Sequence, residues 1–196
     1  MSDTYTINRG SNWQRTAVEE WLYGLDLVSP AVRERIVTAW VSSWASSTHE
    51  QLGDMIFMPG SPTYPLGEHV NEVTRAGVDL AKRAAADWGT EIDWDIMMSI
   101  LILHDVDKPL LYIREGDGAG YSRLYRELPH GVVGAMMLKE LGFPHVVVST
   151  VATHATSAPF HGENIEAHVL HYADLFAADH ALRVMGKTPF YLRRGK

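Results

Sequence analysis

The sequence predicts an all-α fold, a single-domain helical bundle. Three observations carry this reading. Apolar residues recur at i, i+3, i+4 and i+7 along most of the chain. No stretch sustains the period-two alternation of a half-buried strand, since the run Val146–Val148 is short and passes into helix-compatible residues. The glycines and prolines cluster between the periodic segments, where turns belong.

The elements follow in order. Residues 1 to about 12 are polar and aperiodic and are read as a loose arm, and a short helix is expected through Trp13 to Tyr23. Ser29-Pro30 pairs an N-cap residue with proline at the first helical position. Val37, Trp40, Val41 and Trp44 then recur on one face, with Ile36 at its border, which gives a helix from about 30 to 46. Between Gly53 and Gly67 the prolines forbid helix and central strand, so an ordered loop or lid is expected, with Phe57 and Tyr64 available to cover a pocket. A helix from about 68 to 88 carries His69, Val73, Ala76 and Leu80 on one stripe and ends at Gly89. Thr90 with Asp93 resembles a capping box and opens the next helix. There Met97, Ile100, Leu101 and His104 share the core face and Asp105 stacks over Leu101 and Met98. Pro109 is expected to stop that helix.

The glycine-rich segment Arg114–Gly120 reads as a flexible loop beside the His104-Asp105 pair. Pro129 is taken to begin a helix with His130, Val133, Met137 and Leu141 on one face, ended by Gly142 and Pro144. Val147, Val151 and His154 align on the following helix. The last long helix runs from about Asn164 to Met185, with Ala167, Leu170, Asp174, Ala177 and Ala181 together. Residues 1–65 are read as a helical and loop extension packed on the core, 66–185 as the main domain and 186–196 as a basic tail.

Composition narrows the function. A chain of 196 residues with no cysteine has neither a disulfide nor a thiolate ligand, which fits a reducing, cytoplasmic setting. No apolar run is long enough to span a bilayer, and the N-terminus lacks the charged-then-apolar order of a signal peptide. The net charge of -7 argues against nucleic acid as a partner, because phosphate backbones need clustered Lys and Arg. Ten histidines direct attention to metal or acid–base chemistry.

The informative histidines sit on faces that otherwise read as core. His69, His104 with Asp105, His130, His154 and Asp174 fall on five successive predicted helices. A lone buried histidine usually donates to a carbonyl and does nothing more. Five such positions converging in a bundle form a sensible ligand shell for one or two divalent metals, with a carboxylate able to bridge ions about 3.5–4 Å apart.

At these residues the chain resembles the HD-domain superfamily of metal-dependent phosphohydrolases. His69, the adjacent His104-Asp105 and the distant Asp174 match the family's pattern. Leu103-His104-Asp105-Val106-Asp107-Lys108 is similar to its signature, His171-Tyr172-Ala173-Asp174 resembles the setting of its final aspartate, and the resemblance covers about residues 66 to 182. It implies an HD-type bundle in which one metal binds His69, His104, Asp105 and Asp174. It also implies a second metal on Asp105, His130 and His154, the two histidines being those that dinuclear branches add. The ions implied are divalent Mn, Fe, Co, Ni or Zn, and a metal-bound hydroxide would attack a small, anionic, phosphoester-type substrate. Lys108 stands where phosphohydrolase members contact phosphate, although a helix-end cation favoured by the helix dipole explains it as well. An alternative carried by the same ligand set is a di-iron oxygenase cleaving a C–C or C–P bond, and a further one is hydrolysis at carbon.

Neighbouring residues complete the expectations. Arg114, Arg123 and Arg126 flank the glycine segment and could clamp an anionic substrate. His161 is read as a proton donor or substrate ligand, and His171 as touching the site or orienting Asp174. Asp107 could relay a proton or hold a metal ligand in place, but an exposed helix-end carboxylate is the preferred reading. The Trp-rich N-terminal segment could cover the pocket or make a contact in a homo-oligomer.

Overall fold

In the computed structural model, which describes residues 4–60, 62–115 and 118–193, the chain is an all-α bundle with one small hairpin. The helices are α1 (Asn12–Trp21), α2 (Pro30–Ser46), α3 (Leu66–Trp88), α4 (Trp94–Leu103), α5 (Lys108–Leu111), α6 (Arg123–Glu127), α7 (Val132–Glu140), α8 (His145–Thr153) and α9 (Ile165–Val184). Strands β1 (Tyr112–Glu115) and β2 (Gly118–Tyr121) pair antiparallel, Tyr112 opposite Tyr121.

Helix α4 is the axle of the bundle. Every residue from Met97 to Leu103 is buried, because α2, α3, α8 and α9 all pack around it. Close approach to α3 depends on Gly77, where a Cβ would collide with the side chain of Leu101. One continuous apolar cluster runs from Tyr5 and Val18 through Trp40, Val73, Ile100 and Leu138 to Ala177. Burial of that extent, at about 25 cal/mol per Å² of apolar surface, is what holds the helices together. Trp21 meets Trp40 edge-on at 4.9 Å, a favoured geometry for aromatic pairs.

Several local expectations are revised by the structure. The N-terminal arm is not loose: Thr6 N donates to Ser46 Oγ at 3.0 Å and Asn8 N to Ser42 Oγ at 2.9 Å, and Tyr5 is buried. Ser29 does precede α2, yet its hydroxyl donates to Asp95 Oδ2 at 2.7 Å and ties the starts of α2 and α4 together. Thr90 plays no part in capping α4; Asp93 is the N-cap, accepting from Ile96 N at 3.1 Å. Leu80 is exposed, so the inward stripe of α3 is Leu66, His69, Val70, Val73, Gly77, Ala81 and Ala84. The glycine-rich segment is a hairpin, since small residues tolerate the tight return of paired strands.

Pro109 does not end α4. That helix closes at Leu103, and Pro109 lies in the first turn of α5, where a missing N–H costs nothing. The tight turn between the two helices carries His104 and Asp105, with Val106 N bonded to Leu103 O and Lys108 N to Asp105 O. Trp40 Nε1 donates to Ile102 O at 3.2 Å and Ser43 Oγ to Val106 O at 2.5 Å, so side chains of α2 satisfy carbonyls that this helix ending leaves open. Among the described residues no helix is long and apolar enough to cross a membrane.

Candidate metal centre

The inward faces of α3, α4 and α9 and the ends of α7 and α8 meet at one buried point. His69, on the first turns of α3, is fully buried, as is His104 at the C-cap of α4. His154 closes α8, and Asp174 reaches in from the middle of α9. His130 lies on the loop before α7 rather than on its face, because the N-cap of that helix is Gly131 in the left-handed region at φ 92. A side chain there would be strained, and its Cβ would stand 2.5 Å from Val151 O.

Asp105 faces two ways. Its Oδ2 lies 3.2 Å from His69 Nε2 and 3.3 Å from His104 Nε2, and its Oδ1 lies 2.9 Å from His130 Nε2 and 3.6 Å from His154 Nε2. Asp174 Oδ1 is 3.2 Å from His69 Nε2 and 4.0 Å from His104 Nε2. Two groups of potential ligand atoms result, His69–His104–Asp105 and Asp105–His130–His154, each mutually within 4.8 Å.

The ring orientations fit a cation. His104 Nδ1 donates to Leu101 O at 2.9 Å, His154 Nδ1 to Val151 O at 2.7 Å and His130 Nδ1 to Asp107 Oδ1 at 2.9 Å. With Nδ1 bonded in this way, the Nε2 of each ring faces the centre, and in the neutral form that a bound cation would select it would offer that cation a lone pair. His69 Nε2 and His104 Nε2 are only 3.4 Å apart. Lone pairs and carboxylate oxygens gathered so closely repel one another unless positive charge lies among them, and the buried His/Asp groups can hold a divalent metal ion.

Charge at the centre follows from the same contacts. Burial alone pushes the Asp105 carboxyl up, but His104 and Lys108 beside it hold it well below the usual carboxylate range. Asp174 is likewise held low against burial, by the hydrogen bond from His69 and the charge of His104. Burial works against a charged imidazolium at His130, yet Asp107 and Asp105 outweigh it and raise that group to about 9. Burial dominates at His154, and pushes it down.

Lys108 is buried, its Nζ 2.6 Å from Asp105 Oδ2 and 3.9 Å from the centre of the Phe57 ring. The same ring stacks on His69 with centroids 4.1 Å apart. Phe57 thus reaches the centre from the proline-rich segment before α3 and touches both His69 and the Lys108 ammonium. Tyr64 of that segment reaches one turn further along α3, its hydroxyl donating to Glu72 at 3.1 Å.

Asp107 corrects the expectation of an exposed carboxylate. It is fully buried, accepting from His130 Nδ1, from Gly131 N at 2.7 Å and from Gly134 N at 3.4 Å, so that it fixes both the ring and the turn that carries it. Its place two residues beyond the His104-Asp105 pair was the one local sequence signal for this role. His161 and His171 meet ring to ring at 5.2 Å and, with Thr150, Thr153 and His154, line a recess against the centre. His161 Nδ1 donates to Thr153 O at 2.8 Å. Arg123 and Arg126 are not gathered to this point: the Arg123 side chain is 89% exposed and paired with Glu127, and Arg126 is exposed on α6; the Arg114 side chain lies outside the described residues. His49, for which no pattern spoke, is buried with Nε2 against Tyr112 O at 3.0 Å.

A chain whose buried histidine, His-Asp pair and late aspartate converge in this order belongs to the HD domain family, which matches residues 66–179. Over 108 residues it is 32% identical to the dihydroneopterin 2',3'-cyclic phosphate phosphodiesterase of Methanocaldococcus jannaschii, a match covering 55% of this chain and 43% of that protein. The chain therefore spans less than half the length of this curated relative. No solved structure matches it significantly.

Proposed function

We propose that the chain is a metal-dependent phosphohydrolase that holds two divalent ions and cleaves a small phosphoester. The observation that carries this reading is Asp105, whose two oxygens face two separate ligand groups. His69, His104, Asp105 and Asp174 would hold one ion, and Asp105, His130 and His154 the other. Bound there, such ions supply Lewis acidity and an activated water at neutral pH. The family match supports hydrolysis at phosphorus, and the name of the archaeal relative supports a cyclic phosphodiester as the first substrate class to test.

The chain's own groups divide the remaining work. Lys108, already seated on a carboxylate oxygen of the centre, is placed to meet an anionic oxygen of the substrate. Phe57 limits where that ammonium can go. Asp107 keeps His130 in the tautomer that offers Nε2. His161 and His171 present ring nitrogens to the recess beside His154, where a leaving oxygen needs a proton or a hydrogen bond.

The test is metal analysis of protein purified without chelator, followed by phosphate and monoester release from a panel of cyclic phosphodiesters and phosphomonoesters. Two equivalents of metal and turnover lost to chelation are expected. Oxygen consumption by iron-loaded protein, with no phosphoester cleaved under any metal, would overturn the reading.

A further inference from the structure

Phe57 and Tyr64 are partners across two short arms of chain ahead of α3. Phe57 N donates to Tyr64 O at 2.8 Å and Leu66 N to Met55 O at 2.9 Å, and these two bonds bracket an antiparallel pairing of Ile56 with Pro65. Linked in this way, arms 55–57 and 64–66 move as one piece.

Each arm sets one aromatic ring against α3. The Phe57 ring packs on His69 with centroids 4.1 Å apart, and one helical turn further on the Tyr64 hydroxyl donates to Glu72 Oε1 at 3.1 Å. His180 of α9 joins that contact, its Nδ1 2.9 Å from the same Glu72 oxygen. His69 and Glu72 on the helix, with Phe57 and Tyr64 on the arms, thus close a bracket. Tyr64 is buried, and burial together with the Glu72 charge pushes its phenol up, so the hydroxyl stays a donor through the neutral range. Among the described residues the Tyr64 hydroxyl alone ties the side chains of these arms to the helices by hydrogen bonds. The tip of the segment is held separately, Lys187 Nζ donating to Pro59 O at 2.9 Å.

The bracket ends at Lys108. Its ammonium lies 3.9 Å from the centre of the Phe57 ring and 2.6 Å from Asp105 Oδ2. A point charge on a flexible four-carbon stem has no direction of its own, so the ring and the carboxylate set it. We propose that Tyr64 and Glu72 are positioning residues for Lys108, holding Phe57 where it keeps the ammonium turned to the phosphoryl group of the substrate. The proposal rests on the reading of Lys108 as the group that meets an anionic oxygen. Among the described residues neither Tyr64 nor Glu72 is bonded to any of the six candidate ligands, so the route from them to the centre runs through Phe57.

Phe57 reports the link without any substrate. In full-length protein labelled with 4-fluorophenylalanine, its fluorine signal, assigned by its loss in Phe57→Leu, is expected to shift or broaden in Glu72→Ala. It should stay in place in Glu72→Gln, which still offers Tyr64 an acceptor oxygen. With a phosphoester substrate, Tyr64→Phe and Glu72→Ala should raise KM by about three- to tenfold, the scale of a misplaced cation contact, with kcat held within about twofold. Glu72→Gln should keep the wild-type KM. In a Lys108→Met background, Tyr64→Phe should change KM no further, because the group it positions is gone. A Phe57 signal indifferent to Glu72→Ala overturns the proposal, as does a KM loss in Tyr64→Phe that adds to that of Lys108→Met. A chain that turns over no phosphoester under any metal overturns the catalytic reading and this proposal with it, and the fluorine signal tells that failure from a failure of the bracket.

Discussion

The two groups of potential ligands that share Asp105 are built by different means. His69 and Asp174 project from long helices, and His104 from the end of α4, where the close packing at Gly77 sets the spacing. To move one of these ligands, a helix must shift. His154 closes α8 and is held, as His104 is, by a hydrogen bond to the carbonyl three residues back, whereas His130 stands on the loop before α7 and takes its aim from Asp107 alone. The first group is rigid because the core is; the second is as exact as its few polar contacts.

The largest effect is expected where the groups join. Asp105→Ala should empty both groups of metal and lower phosphoester turnover by on the order of 10⁴-fold, the scale of losing a member of a concerted catalytic set. Elemental analysis of the purified variant checks it, and retention of both ions would show that the groups do not depend on a shared bridge. Asp107→Asn should separate the two halves. Metal affinity at the His130 group is expected to fall by about 10- to 100-fold while the helix-borne group keeps its ion. Titration calorimetry on metal-free protein resolves this, and an equal loss at both would erase the contrast.

On the rigid side, Phe57→Leu removes the ring that touches both His69 and Lys108. A stability loss of about 1 kcal/mol is expected from the lost aromatic contacts, together with a several-fold rise in KM and little change in kcat. Thermal melts and steady-state kinetics report these separately.

The smallest effect concerns the support of the hydrogen-bonded side. Tyr5 OH donates to Glu140 at the far end of α7, and burial with that carboxylate raises the phenol to about 12. A group raised on folding contributes its stability in full below its unfolded value near 10 and loses it as pH climbs toward about 12. Chemical melts should therefore show stability falling across that window, with a shallower fall in Tyr5→Phe.

The same division decides how much could be read from the sequence. His69, His104 and Asp174 obey helical periodicity, and periodicity is visible in a string of letters. The fold class and most helix spans were legible for that reason. His130 was assigned to a helix face because Pro129 looked like a start signal, whereas α7 begins three residues later, at Val132 after the positive φ of Gly131. Asp107 was misjudged because its partners, Gly131 and Gly134, lie more than twenty residues away in sequence. Phe57 was seen only as a possible cover, since nothing local says which ring and which ammonium it will meet. The hairpin was hidden by its glycines, which permit strand pairing without announcing it.

The hydrogen bonds from Trp40 and Ser43 to the carbonyls of Ile102 and Val106 bear on how this protein can be dissected. The matched family region begins at residue 66, and a boundary drawn there looks natural on paper. A fragment cut at that point would keep all six residues of the candidate centre and lose both donors, leaving the two carbonyls to water. It would also bare the side of α4 that α2 covers. The smallest piece able to fold therefore reaches back to include α2, and the hallmark residues of the family are housed by a stretch of chain that carries none of them.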